Sequence, residues 1–251
     1  MGRPVTLVTG ASAGLGAEFA RQCAKRGDEL VLVARRRDRL EALATEIGGG
    51  DVISADLAEP GAPARLIADL AERGLDVATL INNAGFGLIG RFAELPADRQ
   101  LEMIDLNMRA LTELTHLVLP GMLEHGSGAI LNVASTAAFQ PGPGMAVYFA
   151  TKAFVLSFSE ALHQELRGSG VRVSALCPGP TATEFGEVAG FRRPVPARLS
   201  ADAASVVAAG LKGLDRNRAV VVPGLTNKVS AVASRFVPRA SMRRIVARLK
   251  L

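Results

Sequence analysis

The sequence has 251 residues, of which 49% are hydrophobic and 21% charged, and its formal net charge is +5. This length and composition exclude a disordered chain and predict one domain with a sizeable core. No run of about 18 apolar residues and no signal-peptide pattern is present, and the two cysteines lack metal-ligand spacing, so we expect a reduced, cytoplasmic protein without a membrane span or a metal site.

Short β-branched runs alternate with longer helical segments along the chain. The predicted strands are residues 5–10, 29–35, 51–57, 78–85, 128–135, 171–179 and 219–224. The predicted helices are residues 15–25, 37–47, 62–73, 98–124, 148–167 and 201–213. The strands are apolar at consecutive positions, which is typical of parallel strands buried on both faces. The pattern predicts an α/β fold with a doubly wound parallel sheet of about seven strands and helices on both faces.

The first predicted strand leads into a glycine-rich segment, TGASAGLG at residues 9–16, which contains Ser12. Gly10, Gly14 and Gly16 permit a tight turn and a close approach of the backbone to a pyrophosphate. A helix beginning near Leu15 would present free N–H groups and a positive dipole end to that anion. This context predicts a Rossmann-like dinucleotide site, and a glycine-rich turn without a ligand is the alternative.

The end of the second predicted strand indicates which nucleotide binds. Arg35 stands where an acidic residue would bond the ribose 2′-hydroxyl of NAD, and Arg36 follows it. Guanidinium groups favour a 2′-phosphate, so we expect NADP(H). A solvated basic helix start is the alternative. Asp56 and Leu57, at the end of the third strand, would flank the adenine, although Asp56 could instead be a helix cap.

Five further motifs follow the glycine-rich segment in chain order. They are NNAG at 82–85, Asn107 within LNMRAL, Ser135 within NVAST, YFATK at 148–152 and PGPTATEF at 178–185. In these motifs and in their intervals, the sequence resembles the short-chain dehydrogenase/reductase family over about residues 4–224. Each motif alone is common, whereas the whole ordered set is specific to that family.

The resemblance gives roles to four polar residues. Tyr148, the only tyrosine, lies one helical turn before Lys152, so both share a helix face. We expect the Lys152 ammonium and the nicotinamide cation to lower the pKa of the Tyr148 phenol, which then exchanges a proton with the substrate oxygen. Ser135 would hydrogen-bond that oxygen, and Asn107 would hold a water linking Lys152 to solvent. The alternative is that Tyr148 only packs against the core, that Ser135 is a turn residue and that Asn107 marks a bend within a helix.

The resemblance also extends the cofactor site beyond the glycine-rich segment. The backbone of Asn83, Ala84 and Gly85 would lie beside the cofactor ribose, and Tyr148 and Lys152 would contact the nicotinamide ribose. Pro178 and Gly179 would bend the chain so that Thr181 and Thr183 meet the nicotinamide amide or the phosphates. Simple turns are the alternative at both segments.

We predict that residues 1–224 form the dinucleotide-binding and catalytic domain, with a substrate loop at about 184–199. Residues 225–251 would be a basic amphipathic extension, because Met242, Ile245, Val246 and Leu249 recur at helical spacing. The extension could dock on its own subunit or a neighbour, or residues 239–251 could contact an anionic membrane surface. Nucleic acid is disfavoured, because the segment contains no recognised nucleic-acid-binding module.

The sequence thus predicts an NADP(H)-dependent oxidoreductase that transfers a hydride between nicotinamide C4 and a carbonyl or secondary alcohol of a partly hydrophobic small molecule. It would be a homo-oligomer, with a dimer preferred over the family's usual tetramer. The main alternative is an NADP-binding regulatory or membrane-associated protein without chemistry. A sugar-nucleotide epimerase is disfavoured, because the chain has little room for a separate substrate domain.

Overall fold

The computed structural model describes residues 2–190, 200–234 and 236–248. The described residues form one seven-stranded sheet with the order β3-β2-β1-β4-β5-β6-β7, and every neighbouring pair is parallel. The strands are β1 (Arg3–Thr9), β2 (Leu30–Ala34), β3 (Asp51–Ser54), β4 (Leu75–Asn82), β5 (Gly128–Val133), β6 (Val171–Leu176) and β7 (Val220–Val221). The predicted doubly wound parallel sheet is confirmed.

The described residues also form ten α-helices. They are α1 (Gly14–Lys25), α2 (Arg37–Ile47), α3 (Ala62–Glu72), α4 (Ala97–Ile104), α5 (Leu111–Glu124), α6 (Ala146–Glu165), α7 (Phe185–Ala189), α8 (Ala203–Asp215), α9 (Leu225–Ala233) and α10 (Arg239–Arg248). The single helix predicted over 98–124 is wrong in one respect, because a π-helical segment, Asp105–Ala110, separates α4 from α5. The wider turn there re-aims the side chains that it carries.

Five strands are shorter than predicted, and in two of them a proline follows the end of the strand. The predicted strand over 171–179 ends at Leu176, before Pro178, and the one over 219–224 is reduced to Val220–Val221, before Pro223. Proline has no N–H to donate to a neighbouring strand, so the ladder stops before it.

Successive residues of the central strands enter opposite apolar layers. Leu7 of β1 packs in the layer that contains Leu66 of α3, whereas Val8 packs in the layer that contains Phe19 of α1. The same division holds for the fully buried pairs Leu32 and Val33, Leu80 and Ile81, and Ile130 and Leu131. This double burial explains why the strands are apolar at consecutive positions.

The strand order reverses at β1, and this reversal positions the site. Leu7 of β1 pairs with Val31 of β2 on one side and with Leu80 of β4 on the other. The loops that leave the carboxyl ends of β1 and β4 therefore meet at one edge. Such a switch point is where open α/β sheets bind ligands.

The C-terminal extension packs on its own chain through α10. Met242 and Val246 are 8% and 2% exposed and belong to an apolar cluster with Phe86 and Tyr148. Ile245 is 48% exposed, and Leu249 lies outside the described residues. Of the two alternatives for this apolar stripe, docking on the same chain is the one observed, so Met242 and Val246 are not available to a membrane. None of the helices in the described ranges is both long and apolar enough to cross a bilayer.

Candidate functional site

The segment between β1 and α1 is a close-packed cradle of backbone. Gly10 and Gly14 adopt φ of +67° and +55°, which strains any residue with a side chain. A Cβ at Gly16 would lie 2.1 Å from the Gly10 carbonyl oxygen. Helix α1 begins here without a side-chain cap on its first N–H groups. An uncapped helix start behind such a turn fits the phosphates of a dinucleotide.

The loop after β4 is fastened to this cradle by hydrogen bonds. The Asn83 side-chain amide donates to the carbonyl oxygens of Thr9 and Gly10 at 3.0 and 3.3 Å. The Thr9 hydroxyl accepts from the backbone N–H groups of Asn83 and Ala84, each at 3.0 Å. The side chain of Asn83 therefore shapes the glycine turn. Sequence analysis did not single out Thr9; its signal was a hydroxyl directly before the glycine turn.

The two arginines predicted to select the cofactor have different partners. Arg36 donates from Nε and Nη2 to the Ser12 hydroxyl at 3.3 and 3.1 Å, which ties it to the glycine cradle. Arg35 donates from Nη1 to Glu102 at 3.2 Å and to Asp56 at 3.5 Å. Arg36 is thus the guanidinium next to the glycine cradle, whereas Arg35 is held by the carboxylates of Glu102 and Asp56.

The residues after β3 flank a cavity of about 570 Å³ that Arg35 and Asp56 both line. Asp56 accepts from the Ala58 backbone N–H at 3.0 Å, so it caps a local turn and not the start of α3. Leu57 is 4% exposed, and its side chain packs in the apolar layer of Leu7.

An acidic residue missed by sequence analysis joins the arginines to the segment that precedes α7. Glu184 accepts from Arg36 at 3.1 Å and from Arg39 at 2.6 Å. Hydrogen bonds from Arg39 and then Arg36 hold the pKa of Glu184 below its usual value. The partners are about 145 positions apart in the chain, so no local pattern could have indicated the contact.

Tyr148 and Ser135 are brought together at the carboxyl end of β5. Tyr148 is 8% exposed, and burial raises the pKa of its phenol to about 12, while the nearby Ser135 hydroxyl acts in the opposite direction. The Ser135 hydroxyl also accepts from the Ala137 N–H at 3.1 Å, which fixes its position. The expectation of a lowered phenol pKa is therefore wrong for the protein groups alone, because desolvation disfavours the charged phenolate.

Lys152 is buried one helical turn after Tyr148. Its Nζ donates to the Val133 carbonyl at 2.8 Å and lies 5.9 Å from the centroid of the Tyr148 ring. Burial lowers the pKa of Lys152 to about 8. A Cβ at Gly85 would lie 2.8 Å from Asn107 Oδ1 and 3.5 Å from Lys152 Nζ, so the glycine of NNAG leaves room for both side chains.

Asn107 lies in the π-helical segment and clamps the loop after β4. Its Nδ2 donates to the Phe86 carbonyl at 2.9 Å and to the Thr151 hydroxyl at 3.1 Å. Its Oδ1 accepts from the Phe86 N–H at 3.1 Å. The side-chain amide is thus committed to protein groups.

The segment after β6 closes the opposite side of the site. The Pro178 carbonyl accepts from the Thr136 N–H at 2.8 Å, and the Thr181 hydroxyl donates to the Gly179 carbonyl at 3.0 Å. A Cβ at Gly14 would lie 3.1 Å from Thr183 Cβ. This segment therefore reaches the glycine cradle, as the cofactor hypothesis requires.

An apolar wall surrounds the phenol of Tyr148. The Phe185 ring is 5.3 Å and the Phe149 ring 6.1 Å from the Tyr148 ring, centroid to centroid. Met242 of α10 belongs to the same apolar cluster. Of the substrate loop predicted over 184–199, residues 191–199 lie outside the described residues.

Known proteins resemble this chain in sequence and in fold. The family described as "short chain dehydrogenase" matches residues 4–190. Sulfoacetaldehyde reductase of Chromohalobacter salexigens is 42% identical over 185 residues, covering 71% of this chain and 73% of that protein. NADP-dependent 3-hydroxy acid dehydrogenase YdfG of Salmonella typhi is 40% identical over 188 residues, covering 73% and 75%. A short-chain dehydrogenase from Sphingobium yanoikuyae, solved in complex with NADPH, superposes with a TM-score of 0.83 at 39% identity, covering 93% of each chain.

Proposed function

The chain belongs to the short-chain dehydrogenase/reductase family, and on that premise we propose that it is an NADP(H)-dependent oxidoreductase in which Tyr148 exchanges a proton with the substrate oxygen. It interconverts a carbonyl group and an alcohol. The observation that carries the proposal is the burial of Tyr148 and Lys152 one turn apart on α6, with Ser135 next to Tyr148 at the carboxyl end of β5. Relatives named as a reductase and as an NADP-dependent dehydrogenase support it.

The residues around the cradle fit NADP(H). The uncapped start of α1 would hold the pyrophosphate. Arg36, next to Ser12, would bind the 2′-phosphate, with Arg39 as a second donor. Arg35 would lie at the adenine edge, where Asp56 and Glu102 orient it. This assignment moves the main phosphate contact from Arg35, where sequence analysis had it, to Arg36.

Tyr148 suits the role of proton donor. Since burial raises its pKa to about 12, the phenol is protonated at neutral pH and can protonate the oxygen of a carbonyl that is being reduced. When bound, NADPH supplies the hydride. Ser135, which lies next to Tyr148, would hold the same oxygen and stabilise its developing charge.

Lys152 would replace the proton that Tyr148 gives away. Its pKa of about 8 allows the amine to hold or release a proton close to neutral pH. Its ammonium form, 5.9 Å from the Tyr148 ring centroid, would stabilise the tyrosinate left after transfer. The backbone carbonyl of Asn107, in the wider π-helical turn, is the group that would bind the connecting water.

The test is a panel of aldehydes and ketones followed by NADPH absorbance, with wild type and Tyr148→Phe compared. The variant keeps the ring and removes the hydroxyl, so we expect activity to fall about 100- to 10,000-fold while NADPH still binds. Phe158→Leu changes a ring on the same helix that stacks on Phe154 and is the matched control. Unchanged turnover in Tyr148→Phe would refute the assignment.

A further inference from the structure

Helix α9 carries an exposed apolar stripe. Leu225, Val229 and Val232 are 78%, 60% and 57% exposed and recur at i, i+4 and i+7. Phe236, just after the helix, is 81% exposed and continues the spacing. Single exposed apolar residues are ordinary, but four of them on one line form a patch of the kind that marks an interaction surface.

The opposite side of α9 is fixed to the body of the protein. Ala231 is 8% exposed, and the Asn227 side chain donates to the Pro223 carbonyl at 2.8 Å. A Cβ at Gly179 would lie 2.6 Å from the Asn227 amide, and α9 packs on the turn Thr136–Phe139. Because these contacts set the orientation of the helix, its apolar stripe faces away from the body of the protein.

A basic side chain lies beside the stripe, and the helix that follows carries more. Lys228 lines a surface groove together with Val229 and Val232. Helix α10 adds four exposed arginines: Arg239, Arg243, Arg244 and Arg248. No acidic residue occurs in the sequence after Asp215, and within the described residues no carboxylate lies within 4.0 Å of these five cations. The C-terminal extension thus combines an exposed apolar stripe on α9 with uncompensated positive charge on α9 and α10.

We propose that this α9 surface, formed by Leu225, Val229, Val232, Phe236 and Lys228, binds an anionic lipid bilayer together with the exposed arginines of α10. The apolar line would enter the headgroup region while the cations meet lipid phosphates. A second copy of the chain fits less well, because symmetric pairing would bring the same unpaired cations together. The proposal goes beyond the proposed oxidoreductase activity and does not depend on it.

The full-length protein is mixed with phosphatidylcholine vesicles, with and without phosphatidylglycerol, and bound protein is measured by flotation. We expect binding to the anionic vesicles only, decreasing as salt is added. Arg243→Gln with Arg244→Gln should lower the partition coefficient about 30-fold, because each cation near an anionic leaflet contributes about 1 kcal/mol. Val229→Gln with Phe236→Gln should lower it at least about tenfold.

Phe92→Gln with Leu101→Gln is the matched control, since these side chains are 66% and 60% exposed and lie outside the extension. It should bind vesicles as wild type does, and light scattering should give all variants the same mass. Equal binding to neutral and anionic vesicles would overturn the proposal. Vesicle binding by Val229→Gln with Phe236→Gln that equals the binding of the control would also overturn it. A reduced mass of that variant would then show that the stripe mediates self-association, and an unchanged mass would show that it has no role in either interaction.

Discussion

Replacing Arg36 should reduce the preference for NADPH more than replacing Arg35. Arg36 is joined to the glycine cradle through Ser12 at 3.1 Å, whereas Arg35 pairs with Glu102 at 3.2 Å and is 57% exposed. We therefore expect Arg36→Gln to weaken NADPH binding strongly and NADH binding hardly at all. Arg35→Gln, one position earlier, is the matched control and should have the smaller effect.

The magnitude follows from the exposure of the guanidinium. A hydrogen bond to a charged group contributes about 1.5–3 kcal/mol, and about 1.4 kcal/mol changes a dissociation constant tenfold. The Arg36 side chain is 42% exposed, so solvent screening favours the lower end of that range. We expect a loss of about tenfold in NADPH affinity for Arg36→Gln, measured by fluorescence titration or calorimetry.

Glu184 sharpens the same experiment. Its carboxylate accepts from Arg36 and Arg39 and competes with a phosphate for both. Glu184→Gln removes the negative charge and should tighten NADPH binding by up to about fivefold, the value of an exposed ion pair. If Arg35→Gln costs as much NADPH affinity as Arg36→Gln, or if NADH weakens in parallel, the placement of the 2′-phosphate at Arg36 is wrong.

The remaining predictions concern the stability of the fold. Burial lowers the Lys152 pKa from 10.5 to about 8. Between pH 8 and pH 10.5 the unfolded chain therefore binds more protons than the folded one, so the contribution of Lys152 to the free energy of unfolding rises with pH in this range. In urea unfolding, wild type should gain up to about 1.4 kcal/mol per pH unit relative to Lys152→Met between pH 8 and 10, and a flat difference would contradict the shift. Gly16→Ala, whose Cβ would meet the Gly10 carbonyl at 2.1 Å, should cost about 1–3 kcal/mol. Gly121→Ala in α5, with no atom within 4 Å of the added Cβ, should stabilise by about 0.5–1 kcal/mol; equal effects would refute the clash.

Local sequence was sufficient for the sheet and for the order of the site segments. Leu80 and Ile81 enter opposite layers of the core, so both must be apolar, and the run is visible in the sequence. The glycine turn was also predictable, since Gly10 and Gly14 have backbone angles that other residues adopt only with strain. In both cases the structural requirement, an apolar side chain or a left-handed backbone angle, is met by a single residue or by its neighbours in the chain.

Tertiary structure decided which polar groups meet. Glu184 accepts a hydrogen bond from Arg39, which lies 145 positions away in the chain. The side-chain amide of Asn107 donates to Phe86 and Thr151. The direction of the Tyr148 pKa shift likewise depends on burial, which places the phenol out of water. Hydrogen bonds between distant segments and desolvation are set by packing, and packing has no local signature in the chain.

The C-terminal extension shows both levels at once. By itself the sequence determined that this segment is basic, free of acidic residues and amphipathic. Only the fold decided that Met242 and Val246 are buried while Leu225, Val229 and Phe236 face outward. The physical reason is that periodicity identifies an apolar stripe on a helix, whereas the surface available to cover that stripe is built by residues far away in the chain.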